Sequence, residues 1–330
     1  MRALERLTLA GSTALAACNA IVGFGDLERV TGSTEQGGDG GDDGASQRDA
    51  TPADDAPTSD APPGPPCDPA LPFGAPTALG APVNSTSGEQ FASFTADELT
   101  IVFSRRVDFN ETILLATRAS RQAPFSAPAP IDGLTQGLSV TSVGLPALTA
   151  DGLMLFYSGE SGDDADIYTA SRAIATAPFG APRRLTRLAT PQVETYPAVM
   201  HDGAELWFTS ERLGGITRHL FRSVRDDIGD YQAPTLVAEL RSSNNEAGVA
   251  FSPDGLTVYF GSDRPGGLGD SDVWVATRAT LQAAFGQATP VTALNSARTE
   301  FPTWVSPDGC RLYLVSDRAG SMDVFVATRP

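Results

Sequence analysis

The chain has 330 residues, 41% of them hydrophobic, which suffices for one large all-β domain or two smaller ones. Its formal charge is −17 and all 23 cationic side chains are arginine. The basic stripe that a nucleic-acid surface needs is therefore missing. Between residues 26 and 62, ten acidic side chains stand against Arg29 and Arg48, a local net of −8.

Residues 1–17 read as a signal peptide. Arg2 and Arg6 precede an apolar run from Leu7 to Ala17, too short to cross a bilayer as a helix. The charged start, apolar middle and small-residue end are those of a secretory signal. Leu15-Ala16-Ala17-Cys18 also resembles the lipobox of bacterial lipoproteins. The resemblance implies cleavage before Cys18 and lipidation of its thiol. Asn19, where an Asp would favour inner-membrane retention, implies the outer membrane. A secreted protein cut after Ala16 or Ala17 is the alternative. Either way, the folded part meets a membrane only through the N-terminal lipid.

Residues 18–66 follow as a tether. The stretch from 31 to 66 contains no aromatic residue, no Leu, no Ile and no Val. It cannot bury enough apolar surface to offset its ordering entropy and is expected to be disordered. About 40 residues of this composition span roughly 35 Å, so the segment serves as a spacer rather than an acidic binding tail.

From residue 67 onward the sequence repeats. The turn aspartates Asp97, Asp151, Asp202, Asp254 and Asp308 are spaced by 54, 51, 52 and 54 residues. A closing marker ends each unit, "LLATR", "YTASR", "FRSVR", "WVATR" and "FVATR", at Arg118, Arg172, Arg225, Arg278 and Arg329. An opening marker precedes each, beginning with "PFGAP" at 72 and ending with "AFGQA" at 284. Repeats at this period signal arrays or propellers.

Each unit has the grammar of a four-stranded antiparallel sheet. "SPDG" suits a type I turn, "LTVYFGS" alternates as a strand, and a Gly-rich turn such as "DRPGGLGDSD" reverses the chain. "DVWVATR" is the third strand, "FGAPxxL" supplies the outer one, and segments such as "EFPTWV" are innermost. The fold class is all-β, a five-bladed β-propeller over 67–330. The pattern "SPDG…LYF.SDR.GG…DIY.ATR" resembles the WD40-like or PD40 repeats of TolB-type β-propellers. That resemblance implies a binding or scaffolding module with partners among envelope proteins or peptides. The third unit departs most, with His201 at the turn proline and His219 where others have Asp.

The chain opens on an outer-strand segment and ends after a third strand, so residues 72–83 are expected to complete the last blade and remove two unpaired edges. With Cys18 lipidated, Cys67 and Cys310 remain as an even pair in an oxidising compartment. Both fall at the same end of the last blade and are expected to form a disulfide.

Signatures of catalysis are few. There is no G-x-S-x-G elbow, Cys cluster or phosphate-binding loop, and both histidines occupy repeat positions. Eight residues before the turn aspartate stand Glu89, Glu194, Glu246 and Glu300, with Val143 breaking the set. They begin the innermost strands and are expected to ring one mouth of the channel. Asp263, Asp317, Glu211, Arg212, Arg264 and Arg318 lie in turns on the same face. These residues either pair between blades and hold the ring, or bind a cation, a basic peptide or a sugar. Carboxylate pairs also serve glycoside cleavage. The turns at 162–166 and 269–272 are Asp-rich enough to suggest Ca²⁺, or simply solvated hairpin ends. A non-catalytic envelope propeller is the expected function, with a hydrolytic or a lectin-like glycan-binding propeller as alternatives.

Overall fold

The structure is a computed structural model that describes residues 67–330 except 108, 109, 163, 201 and 202. Cys18, the signal, the tether, His201 and Asp202 lie outside the described residues. Twenty strands form five four-stranded antiparallel sheets, and the described residues contain no helix. The first blade comprises β2 (Gly88–Phe94), β3 (Thr100–Val107), β4 (Asn110–Thr117) and β5 (Ala129–Pro130). The second comprises β6 (Ser142–Leu148), β7 (Met154–Ser161), β8 (Asp164–Ser171) and β9 (Arg183–Arg184). The third comprises β10 (Glu194–Met200), β11 (Glu205–Ser210), β12 (His219–Val224) and β13 (Thr235–Leu236). The fourth comprises β14 (Glu246–Phe251), β15 (Thr257–Ser262), β16 (Asp272–Thr277) and β17 (Thr289–Pro290). The fifth comprises β18 (Glu300–Val305), β19 (Arg311–Ser316), β20 (Asp323–Thr328) and, from the start of the domain, β1 (Thr77–Ala78).

The ring closes as the repeat order requires. β1 pairs antiparallel with β20, Thr77 opposite Val326, and the innermost strand β18 touches β2. The remaining innermost strands touch in sequence, β2 to β6 to β10 to β14 to β18. A disulfide joins Cys67 to Cys310 across 243 residues of sequence, with their Cα atoms 5.9 Å apart.

The apolar core lies between blades rather than within them. Five clusters of buried side chains each draw on two neighbouring blades. Trp207 of β11, for example, is buried with Phe260 of β15 and Phe285 from the fourth blade's outer segment. Both faces of each sheet are thus apolar, as the alternation within "LTVYFGS" shows: Val258 and Phe260 face one neighbour while Tyr259 faces the other.

The recurring markers meet in space. The guanidinium of each closing arginine stacks on the opener's phenylalanine: Arg118 on Phe125, Arg172 on Phe179, Arg278 on Phe285 and Arg329 on Phe73, at 4.1–4.5 Å. The last of these carries the N-terminal segment onto the fifth blade. In the third blade Tyr231 takes the place of the phenylalanine and hydrogen-bonds the Gly203 carbonyl at 2.6 Å. In the turns, Asp97, Asp151, Asp254 and Asp308 each accept the hydroxyl two residues earlier and the amide two residues later, at 2.5–3.0 Å. Burial raises the Asp308 carboxyl, but the bonds from Ser306, Cys310 and Arg311 outweigh it and bring it down to about 2.

One turn departs from this pattern at the closing seam. Gly152, Gly203, Gly255 and Gly309 follow the turn aspartate in left-handed conformation, and Glu98 adopts the same conformation at φ +61°. A non-glycine residue there costs of order 1 kcal/mol. The carboxylate it places is fully buried and receives two nitrogens of Arg311, the nearer at 2.6 Å, and the Tyr313 hydroxyl at 2.8 Å. The first and fifth blades are therefore clasped by an ion pair as well as by strand, disulfide and stack.

Two outcomes are expected in urea unfolding followed by tryptophan fluorescence. The Cys67→Ser/Cys310→Ser double variant loses about 2–4 kcal/mol. Glu98→Gln, which removes the buried one of Arg311's two counter-charges and leaves Asp308, loses about 3 kcal/mol.

Candidate functional site

The four repeated glutamates do not line the channel mouth. Glu89, Glu194, Glu246 and Glu300 are each 0% exposed. Each heads its innermost strand and turns back into the blade. Glu246 accepts the Ser242 amide at 3.0 Å and hydroxyl at 2.5 Å, Arg264 Nη2 at 2.9 Å, and stands 2.8 Å from His219 Nδ1. Glu300 repeats this with Ser296, Ser316 and Arg318, and Glu194 with Thr190, Ser210 and Arg212. In the first blade Ser85 and Arg105 complete the set around Glu89.

The arginines are consumed as well. Arg264 Nη2 donates to the Leu240 carbonyl at 2.7 Å, and its guanidinium lies over Phe260 at 4.8 Å. Arg318 and Arg212 make the matching bonds to Leu294 and Leu188. Each ion pair therefore lies within a blade, anchored to the loop arriving from the previous blade's outer strand. His219, in a slot that three other blades give to aspartate, reaches across to the next blade's glutamate, and Asp323 meets Glu89 from the same slot. Asp263 and Asp317 stay nearer the surface and cap amides, Asp263 that of Asn245 at 2.7 Å and Asp317 that of Thr299 at 2.9 Å. In the Asp-rich turns Asp166 pairs with Arg184 at 2.6 Å, and Asp272 accepts the Leu268 and Gly269 amides. No group of three metal-ligating side chains comes together among the described residues.

The channel itself is shaped by bulges. Every innermost strand slips register near its middle, and the residue two after the glutamate position has positive φ in four blades: Phe91, Leu145, Tyr196 and Gly248, at 38–61°. A bulge re-aims the side chain it carries. Here it turns Phe91 across the axis, 4.7 Å from the Tyr196 ring and 5.9 Å from that of Phe301. Gly248 makes this possible, because a Cβ there would lie 2.9 Å from the Phe91 ring. The aromatic trio plugs the channel and leaves two unlike ends.

On the SPDG side a funnel of about 340 Å³ runs between Phe91, Met200, Phe251 and Trp304, with no charged side chain among the described residues of its wall. On the hairpin side a polar cleft of about 300 Å³ holds Arg106, Glu111, Glu160, Asp164 and Arg218 beside Tyr196. A second depression continues from Tyr196 past Phe301 to Asp263.

Glu111 is the unusual group. Its carboxyl accepts the Ser104 hydroxyl and presses against Gly144, where a Cβ would come within 2.3 Å of its carboxyl carbon. Burial pushes its pKa up from the ordinary carboxylate value, and the negative charge of Glu160 adds to the shift. Burial likewise raises the Tyr196 phenol. Thr195, 7% exposed, lines the same cleft with its hydroxyl unpartnered.

The repeat alignment held a signal for these residues. Seven before the closing arginine stand Glu111, Ala165, Arg218, Ser271 and Met322, while the next position is nearly uniform: Thr112, Asp166, His219, Asp272 and Asp323. In the residue after the glutamate's cross-strand partner, Arg106 replaces the acid found in Glu160, Glu211, Asp263 and Asp317. Variable positions beside uniform ones mark where a blade faces something other than its neighbours.

Glu300→Ala strands Arg318 in the blade and is expected to cost about 3–5 kcal/mol in urea unfolding. Glu111→Gln has the opposite sign. A carboxyl whose constant is raised on folding destabilises the fold once pH passes the unfolded value, so the variant melts higher than the parent at pH 8 and level with it at pH 4. Thermal melts at the two pH values check this.

The sequence matches no family model and no curated protein. Solved structures match by fold. A thermostable family-43 glycoside hydrolase is 12% identical with a TM-score of 0.53, covering 75% of this chain and 90% of that one. The α-L-arabinofuranosidase PaAbf62A from Podospora anserina is 11% identical at 0.51, covering 81% and 99%. TolB from Acinetobacter baumannii is 15% identical at 0.46, covering 74% of this chain and 55% of that one, so the chain spans about half of that protein's length. At these identities the likeness is one of fold.

Proposed function

We propose that the protein is a non-catalytic binding propeller of the bacterial cell envelope, held to the outer membrane through a lipid on Cys18, which takes its ligand at the polar cleft. The carrying observation is the division of labour among charged residues. The repeated glutamates and their arginines are buried in ties, whereas Glu111 and Arg218, from a position that differs in every blade, and Arg106, where the other blades have an acid, converge with Glu160 on one cleft. The PD40-like pattern supports the TolB-like class, and the acidic, apolar-poor segment before residue 67 suits a spacer.

Hydrolysis is the second reading, favoured by one observation. Glu111, its pKa raised by burial, faces the cleft together with Glu160, and two carboxyl groups in unequal surroundings are what glycoside cleavage uses.

Capture of envelope components on the immobilised full chain tests the first reading. Arg218→Glu, which reverses a charge at the cleft, is expected to abolish capture, while Met200→Leu in the funnel leaves it intact. Equal capture by both variants overturns the assignment. Turnover of 4-nitrophenyl glycosides by the parent, lost in Glu111→Gln and in Glu160→Gln, selects the hydrolytic reading instead. Cys18→Ser is expected to move the protein from the membrane fraction to the soluble fraction.

A further inference from the structure

The chemistry of the cleft narrows its ligand. Three carboxylates and two guanidinium groups line one wall system, so neither a bare cation nor a bare anion is matched. Planar groups of both kinds suit a ligand offering donors and acceptors side by side, as vicinal hydroxyls do. The Thr195 hydroxyl, over nine-tenths buried and unpartnered, adds a hydrogen-bonding group at depth, and Asp164 Oδ1, on a half-buried side chain, is also without a partner. A buried hydroxyl left without a partner costs about 1–3 kcal/mol, which a ligand's own hydroxyl would recover.

The cleft also has apolar surface in a particular place. Tyr196 stands between the polar cleft and the depression toward Phe301 and lines both. Ile216, 87% exposed on the hairpin between β11 and β12, borders the second of these. An aromatic ring flanked by two polar hollows fits a chain of rings, each having a C–H face and a hydroxyl edge.

We propose that the mouth binds a neutral oligosaccharide across Tyr196, one sugar ring in the cleft of Glu111 and Thr195 and the next against Arg218 and Phe301. The inference rests on the binding reading above and adds the ligand class. A hollow of about 300 Å³ is at the lower end of small-molecule sites, the right scale for single rings rather than for a protein loop. Arg106 and Arg218 bracket the ligand, and Thr195 receives or donates at its inner edge.

Isothermal titration of the full chain with neutral di- to tetrasaccharides of glucose, galactose, mannose, xylose, arabinose and N-acetylglucosamine tests this. At least one is expected to bind, a tetrasaccharide more tightly than its disaccharide. Thr195→Val, of equal size, is expected to weaken that binding about tenfold without lowering the melting temperature, because it deletes one hydrogen bond worth about 1.4 kcal/mol. Tyr196→Phe keeps the stacking surface and is expected to retain most of the affinity. Failure of every saccharide to bind, or equal affinity for the parent and Thr195→Val, overturns the inference. If no saccharide binds while Arg218→Glu still abolishes capture from envelope extract, the ligand class falls and the binding reading stands. If capture is unaffected too, both fall. Cleavage of a bound saccharide supports the ligand class and overturns the non-catalytic reading.

Discussion

A sheet with two apolar faces is stable only when both are covered, and every blade of this protein is such a sheet. Five clusters bury five pairs of faces, so removing one blade would expose the faces of two others. A linear stack would still leave its end faces wet, and a circle leaves none. The constraint then passes to the seam, where the strand that completes the fifth blade comes from the start of the domain. Strand β1, the Cys67–Cys310 bond, the Arg329–Phe73 stack and the Glu98–Arg311 pair all fall at this one junction. Among the described residues the other blades repeat the outer strand, and all but the third the arginine stack, but they have neither the disulfide nor the Glu98–Arg311 pair. Glu98 adopts a backbone conformation that glycine holds in the other blades, which is the cost of placing a carboxylate at that junction.

The glutamate ties solve a different problem. The loop from one blade's outer strand must cross to the next blade's innermost strand, and its amides and carbonyls have no ladder to join. Glu246 meets the Ser242 amide and hydroxyl, and Arg264 meets the Leu240 carbonyl, so one ion pair satisfies the loop from both sides. The desolvation of such a pair is offset by the number of bonds it makes rather than by charge alone. In the second blade Val143 stands at the glutamate position and Gly159 opposite it. Without a tie to accommodate, its innermost strand has room at Gly144 for a carboxylate from the neighbouring blade. Glu111 enters there, and the polar cleft is built at the one blade that lacks the tie.

The architecture was legible because a propeller's residues recur wherever a blade needs them. Spacing of the turn aspartates gave the blade count, the spare opener "PFGAP" gave the closing strand, and Cys67 and Cys310 gave the bond at the seam. The depth of the repeated glutamates was not legible. Recurrence tells that each blade requires Glu at that position, but both a channel-mouth ring and an internal tie would recur equally. The deciding signal was the hydroxyl four residues earlier, at Ser85, Thr190, Ser242 and Ser296, which pairs with the carboxylate only if the side chain folds back. The bulges were equally hidden, since Phe91, Leu145 and Tyr196 carry no pattern that announces a positive φ. The register slip they create decides which side chains see the channel.

That slip is also what gives the molecule two faces of unlike chemistry. Left-handed φ at Phe91, Leu145 and Tyr196 costs of order 1 kcal/mol apiece, and a regular strand would have avoided it. Regular strands, however, would alternate side chains along a through-channel of uniform lining. By turning Phe91 across the axis against Gly248, the bulges separate a wall without charge from a cleft where five charged groups converge. The separation matters electrostatically. Water in an open channel would screen Glu111 from Glu160, whereas a plugged one leaves burial and the Glu160 charge to raise the Glu111 pKa. The strain stored in the innermost strands is thus tied to the burial of the Glu111 carboxyl.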